Sequence, residues 1–317
     1  MEFTGRSTAL AATGAVEWPT MAVVGGVFGS YGLLTWFHAS VPTWLLIPLL
    51  GAVITWHGSL QHEVIHGHPT KWGRVNRLIG RTTLDLFTPF EHYRRTHLLH
   101  HRDQYLTDPT IDAESFYVTA DRWAATGPVM RHVLLAHHTL LGRLLLGPFL
   151  TLIGYTADQA RQAVTGERMP GEGCPRRRWL GHAPFVLLTV VWLAYVRFSA
   201  FTYFWCICVA VAGVQLRSFA EHRWTPDGRP RTAMVHTVAP LGLLFLNNNL
   251  HAAHHARTSV PWYELPRFAR SIDANELAVR GAGLYSGYLE LARQYGVRSI
   301  DSPVYPGVVA DPAIPRC

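Results

Sequence analysis

Apolar residues gather in long blocks along this chain, separated by polar stretches rich in histidine. A membrane span needs about 17–25 mostly apolar residues. Residues 19–38, 42–61, 182–198 and 200–218 meet that length. The breaks at 38–41 and 197–200 are very short, so the four blocks pair as two helical hairpins with both links on one side of a membrane. A further apolar stretch, 133–156, is interrupted by His137, His138 and Arg143. As a span it would put the two halves of the chain on opposite sides, so it is expected to lie along the interface. Residues 233–250, broken by Pro240 and three asparagines, are expected to be re-entrant or interfacial. The Pro-rich tail, 303–317, is expected to be loose. The pattern predicts an all-α integral membrane protein forming one domain over 1–317. Four transmembrane helices in two hairpins carry a helical cap built from an insert, 62–179, and a C-terminal region, 219–317.

Composition agrees with a membrane setting. Hydrophobic residues make up 49 % of the chain and charged residues 15 %, against about 25 % charged in soluble domains. The net charge is +7 and the pI about 9.5. Lys71 is the only lysine, an arginine bias that suggests a GC-rich bacterial source. The insert holds 15 Arg or Lys, including Arg94, Arg95 and Arg176–Arg178. The positive-inside rule therefore makes the insert and both termini cytoplasmic, which implies a bacterial inner membrane. The arginines serve orientation, lipid headgroups and an acidic redox partner, so no nucleic-acid partner is expected. The cysteines (Cys174, Cys206, Cys208, Cys317) form no C-x-x-C and indicate neither a disulfide framework nor a cysteine-ligated metal. The first apolar run starts near Met21, after Glu17 and Pro19, so no cleaved signal peptide is expected.

The chemistry lies in the 18 histidines. His62 and His66 follow the second apolar block as H-x-x-x-H. His97, His100 and His101 form H-x-x-H-H. His222 follows the fourth block in EHRW. His251, His254 and His255 form a second H-x-x-H-H in NNNLHAAHH. Successive residues on a helix are about 100° apart, so positions i, i+3 and i+4 share one face. All nine imidazoles then fall at one membrane boundary, on the side already assigned from arginines and hairpins. Nine exceed the needs of one ion, and the economical count is two metals. Imidazole suits several transition metals, so ligand type alone does not select iron. A transporter would instead line a path through the membrane with ligands. Only His57 and Gln61 lie inside an expected span, near its end.

The order H-x-x-x-H, H-x-x-H-H, a lone histidine in EHR, then H-x-x-H-H resembles the membrane fatty acid desaturase superfamily over about residues 20–270. HRDQYLTDP and NNNLHAAHH…PWYELP resemble its bacterial branch. The resemblance implies two iron ions held by His62, His66, His97, His100, His101, His222, His251, His254 and His255. It also implies O2 as co-substrate and attack on an unactivated C–H bond of a lipid or acyl chain. No redox segment is recognisable in the sequence, so an external ferredoxin- or flavodoxin-type donor with its reductase is implied. Acyl desaturases often place an Asn one turn before the lone histidine. Here Ser218 stands there, and that feature is not carried over.

Metal-bound imidazole usually gives its second N–H to a carboxylate or carbonyl. Glu63, Asp103, Glu221, Asn248 and Asn249 are the candidates for that role, with Glu91, Asp108 and Asn247 also near the boxes. His68, six residues past His62, points away from the pair. His38, His57, His92, His132, His137, His138, His182 and His236 are read as ordinary structural or surface histidines. Desaturation, hydroxylation and ketolation share the first hydrogen abstraction, and the motifs do not separate them.

Overall fold

The computed structural model describes residues 15–167, 173–226 and 229–310, without the side chain of Asp103. Residues 311–317 of the tail, Cys317 and the first 14 residues lie outside that description. The chain opens with α1 (Trp18–Trp36) and α2 (Thr43–Ile65). Four short helices follow: α3 (Gly73–Arg81), α4 (Phe90–His100), α5 (Ala120–Ala125) and α6 (Pro128–His137). Next come the long helices α7 (Leu140–Thr165), α8 (Pro175–Tyr195) and α9 (Ala200–Ser218). The last third is built of short pieces, in order β1 (Ala233–Val235), α10 (Ala239–Leu244), α11 (His251–Ala256), α12 (Leu265–Ser271), α13 (Ala274–Arg280), β2 (Gly283–Tyr285) and α14 (Tyr288–Tyr295).

Local chemistry sets the ends of these helices. Thr139 caps α7 by accepting the amide of Gly142, and α7 stops at Gly166, whose φ of 72° only glycine adopts freely. Ser199 caps α9 by accepting the amide of Thr202. The expectation of purely helical structure needs one correction. β1 and β2 pair in parallel, with Ala233 opposite Gly283 and Val235 opposite Tyr285. The backbone of β1 is buried between α11 and α13, and a buried backbone must find hydrogen-bond partners. This is also the start of the stretch expected to be re-entrant. It folds as β1 and the short α10, followed by a turn with positive φ at Leu246 and Asn247.

The two hairpins pack through small residues. A Cβ on Gly51 of α2 would lie 2.5 Å from Cγ1 of Val209, and one on Gly213 of α9 would lie 2.4 Å from Oγ1 of Thr55. Such contacts let the helix backbones approach closely, which is how helices gain van der Waals contact in lipid. The pair buries Leu50, Ile54, Tyr203, Cys206 and Ala210. The hairpin links sit side by side, because His38 Nε2 lies 3.0 Å from the carbonyl of Val196. Trp192 donates to Thr35 just beneath them. The histidine-bearing ends of α2 and α9 are at the opposite end of the pair.

Three helices are long and apolar enough to cross a membrane, namely α2, α7 and α9. α1 and α8 cover the other two expected spans, but are not among these three. α1 is diluted by Gly25, Gly26, Gly29 and Gly32, and α8 opens on Arg176–Arg178. The stretch expected at the interface continues as α7, which qualifies by length and composition. Its contacts set it apart from the other two. Near its start, the guanidinium of Arg143 stacks 3.6 Å from Phe116 and 5.5 Å from Phe219, just past the end of α9. Near its end, Gln159 and Gln162 accept from Arg178, which opens α8 and also meets His92 of α4. Both ends of α7 thus touch the histidine-bearing end of the molecule.

Candidate metal centre

Four separate segments deliver the histidines. α2 carries His62 in its last turn and ends at His66. α4 carries His97 and His100 in its last turn and ends at His101. α11 carries His251, His254 and His255. His222 stands just beyond α9, held by an antiparallel bridge to Thr232 and by the Arg231 carbonyl, 3.2 Å from Nδ1. The three asparagines of NNNLHAAHH set the entry to α11. Asn247 donates to the Trp262 carbonyl and Asn249 to the Val235 carbonyl. The side-chain and backbone oxygens of Asn248 each lie 3.2 Å from Nδ1 of His251.

The nine imidazoles fall into two groups. His62, His66, His97, His101 and His254 form one group, here called A. His100, His222, His251 and His255 form the other, B. Within each group the potential ligand atoms lie within 4.8 Å of one another. Five of these side chains are almost fully buried, including His62, His97 and His100 at 1 % exposure.

Nitrogen faces nitrogen inside both groups. In A, His97 Nε2 lies 3.1 Å from His66 Nε2 and 2.9 Å from His101 Nε2, and His254 Nε2 lies 3.2 Å from His101 Nε2. In B, His222 Nε2 lies 2.9 Å from His100 Nε2 and 2.7 Å from His251 Nε2. The outer nitrogens bond elsewhere. His97 Nδ1 donates to Glu114 at 2.6 Å and His100 Nδ1 to Asp112 at 2.9 Å. A neutral imidazole that donates from Nδ1 has a bare lone pair at Nε2. Bare lone pairs about 3 Å apart repel unless a cation lies between them. Metal–nitrogen bonds of about 2.1 Å place adjacent ligand atoms about 3.0 Å apart, which is the spacing observed. His62 Nε2 and both ring nitrogens of His255 are buried without a hydrogen-bond partner. The residues therefore fit a metal ion in each group.

Electrostatics supports ligation. Burial, reinforced by neighbouring imidazoles, holds His222, His251, His254 and His255 well below the usual histidine range, and pushes His66 down to about 2. Neutral imidazole is the form that binds metal. His100 differs. Burial also opposes its charge, but the carboxylates of Glu114 and Asp112 prevail and push it up to about 9.

The other sequence candidates have diverse fates. Glu221 pairs with Arg217 at 3.1 Å and lies 3.6 Å from Nδ1 of His251. Asn248 also meets His251. Glu63 and Asn249 are corrections. Glu63 accepts the Trp262 amide, and Asn249 braces β1, so each serves backbone rather than imidazole. Glu91 pairs with Arg81, and Asp108 accepts the amides of Thr110 and Ala310. The side chain of Asp103 lies outside the described residues. His68 bonds Glu17 at 2.6 Å, away from both groups. His38, His57, His132, His138 and His182 each meet a backbone carbonyl. Sequence reasoning missed Asp112 and Glu114. Both lie past the second box on an irregular segment, where no spacing pattern singles them out.

A cavity of about 360 Å³ reaches this centre between α2, α4, α7 and α9. His222 and Ser218 line one end, and Ile54, His57 and Val211 line the other. Along α9 it runs from Ser218 to Ala210, about 12 Å at 1.5 Å per residue. A profile described as fatty acid desaturase matches residues 38–285. No curated protein matches the chain.

Proposed function

Since the chain belongs to the fatty acid desaturase family and is thus an oxidoreductase acting in a membrane setting, we propose that it is a di-iron desaturase that introduces a double bond into an aliphatic, fatty acyl-type chain. The observation that carries this reading is the convergence of nine imidazoles, from four segments, into groups of five and four at the end of an elongated cavity. In the balanced reaction, –CH2–CH2– with O2, two electrons and two protons becomes –CH=CH– and two waters. Iron held by His62, His66, His97, His101 and His254, and by His100, His222, His251 and His255, would supply the dioxygen activation that an unactivated C–H bond demands.

The protein's own part is positioning. α2 and α9 guide the aliphatic chain along the cavity, and its apolar side chains exclude water. Glu114, Asp112 and Asn248 fix the imidazole orientations through the outer nitrogens. The electrons come from an external ferredoxin- or flavodoxin-type donor. α1, α2, α8 and α9 cross a bacterial inner membrane, and α7 lies along the cytoplasmic surface. The contacts of both α7 ends with the histidine-bearing end of the molecule support that arrangement.

Product analysis tests the proposal. Expression in a desaturase-poor bacterial host with a ferredoxin system, followed by mass spectrometry of total lipids, should give species two mass units lighter. They should be absent from His254→Ala. Products sixteen units heavier would replace desaturase by hydroxylase. An unchanged lipid profile from an iron-loaded protein would overturn the acyl substrate.

A further inference from the structure

Residues 82–89, between α3 and α4, have no regular structure. Four of their carbonyls are held by side chains of the long helices. His57 of α2 meets the Thr82 carbonyl at 2.8 Å, and Thr189 of α8 donates to Thr83 at 2.7 Å. Tyr203 of α9 donates to Leu84 at 2.6 Å, and His182 of α8 meets Leu86 at 3.1 Å. Tyr203 lies in the first turn of α9, about 22 Å along the helix from Ser218. The segment therefore dips toward the hairpin links, away from the histidines. Irregular backbone is tolerated at membrane depth where it is packed inside protein or lines a cavity. Here it does both, because Asp85, Phe87 and Thr88 line the cavity that leads to the metal centre.

Asp85 stands apart from the other acids of that lining. Glu114 is bonded to His97, and Glu221 is paired with Arg217. Asp85 accepts the Thr83 hydroxyl at Oδ1, 2.6 Å away. Among the described residues, neither a second hydrogen-bond donor nor a cation meets its carboxylate. An ionisable side chain at membrane depth is costly and marks a pathway or a binding partner. Ligand cavities fix orientation with a few well-placed polar groups in an apolar lining. We propose that Asp85 binds a hydrogen-bond donor, an amine or a hydroxyl, carried by the aliphatic substrate at the end remote from the metals. The inference deepens the function proposed above and rests on it. The hydrocarbon then lies along α9 from Ala210 toward Ser218 and the histidines. The C–H bonds that reach the centre are thereby counted from the donor-bearing carbon. An ether or a carboxylate on the same chain offers only lone pairs, which the Asp85 oxygens repel.

Binding of three radiolabelled chains of equal length tests this, namely decylamine, decan-1-ol and decyl methyl ether. The full chain is used in nanodiscs, iron-loaded and kept free of O2 so that no turnover occurs, with empty nanodiscs subtracted. The parent should bind the amine or the alcohol at least tenfold more tightly than the ether, the scale of one charge-assisted hydrogen bond. The tighter of the two tells a cationic donor from a neutral one. Asp85→Asn keeps an oxygen for the Thr83 hydroxyl but turns an amide NH2 toward the cavity. It should lose the tenfold preference and leave ether binding unchanged. Equal affinity of the parent for all three chains would overturn the proposal, and that comparison needs no variant. A preference that survives in Asp85→Asn would overturn it too, by locating the donor's partner elsewhere. O2 and a ferredoxin system are then admitted with the preferred chain bound. Oxidation at one position, counted from the donor-bearing carbon, would support both readings. The expected preference without any oxidised product would uphold the Asp85 site and count against the desaturase reading.

Discussion

At the scale of single residues, each histidine is defined by which of its nitrogens is already committed. The outer nitrogens of His97, His100, His222 and His251 have partners, and their inner nitrogens face other members of their own group. Removing one member should therefore empty a group. His251→Ala is expected to drop bound iron from two ions per chain to one, read by elemental analysis of purified protein, with group A retained. Histidines outside the centre predict the response to acid. Burial, reinforced by Arg143, pushes His138 down to about 4 and His137 to about 3, from an ordinary 6.5. Below pH 6.5 the unfolded chain takes up these protons and the folded chain does not. Stability is then complete above that value and falls as pH drops toward 4. Thermal melts in nanodiscs at pH 7, 5.5 and 4.5 should decline in that order, and His138→Gln should flatten the decline. The converging histidines were legible in the sequence because i, i+3, i+4 spacing is a helical signature. Asp112 and Glu114 were not legible, because no periodicity fixes where a side chain points on an irregular segment. Glu63 misled because nearness in sequence to a box says nothing about which backbone amide lies closer.

At the scale of elements, the α2–α9 pair is the frame that holds the boxes in register. Its closeness depends on Gly51 and Gly213. Gly51→Leu should force the helices apart at Val209, costing about 1–3 kcal/mol as overpacking does. Lower thermal stability and lower iron content would report it. Val209→Gly in the same chain should recover part of both by removing Cγ1 and Cβ, the two side-chain atoms that a new Cβ would strike. The hairpins were readable from apolar block length and the two short links. α7 was harder, because length and hydropathy give it the same signature as α2 and α9. Its distinguishing marks are long-range contacts at both ends, through Arg143, Gln159 and Gln162. The β1–β2 pair escaped notice because three-residue strands leave no usable alternation.

At the scale of the whole molecule, the links at one end and the histidines at the other give the protein a polarity that labelling can read. In a chain whose cysteines have been replaced, Ser199→Cys should react with an impermeant thiol reagent in intact cells. Ser302→Cys should react only after lysis. The opposite result would invert the proposed orientation. Two ions bound as proposed should also add to stability, since a ligand bound at a hundredfold its dissociation constant contributes about 2.7 kcal/mol. Chelator should therefore lower the melting temperature, and restored iron should raise it again.

The four-segment origin of the histidines also dictates a biosynthetic order. A ribosome reaches His62 and His66 early, but His251, His254 and His255 emerge only after α8 and α9 have been made. Neither group can close before then, because each draws a member from that last segment. The helices must insert and pair before the histidines meet. On the proposed di-iron reading, metal loading would be a late event, performed on a protein already seated in its bilayer.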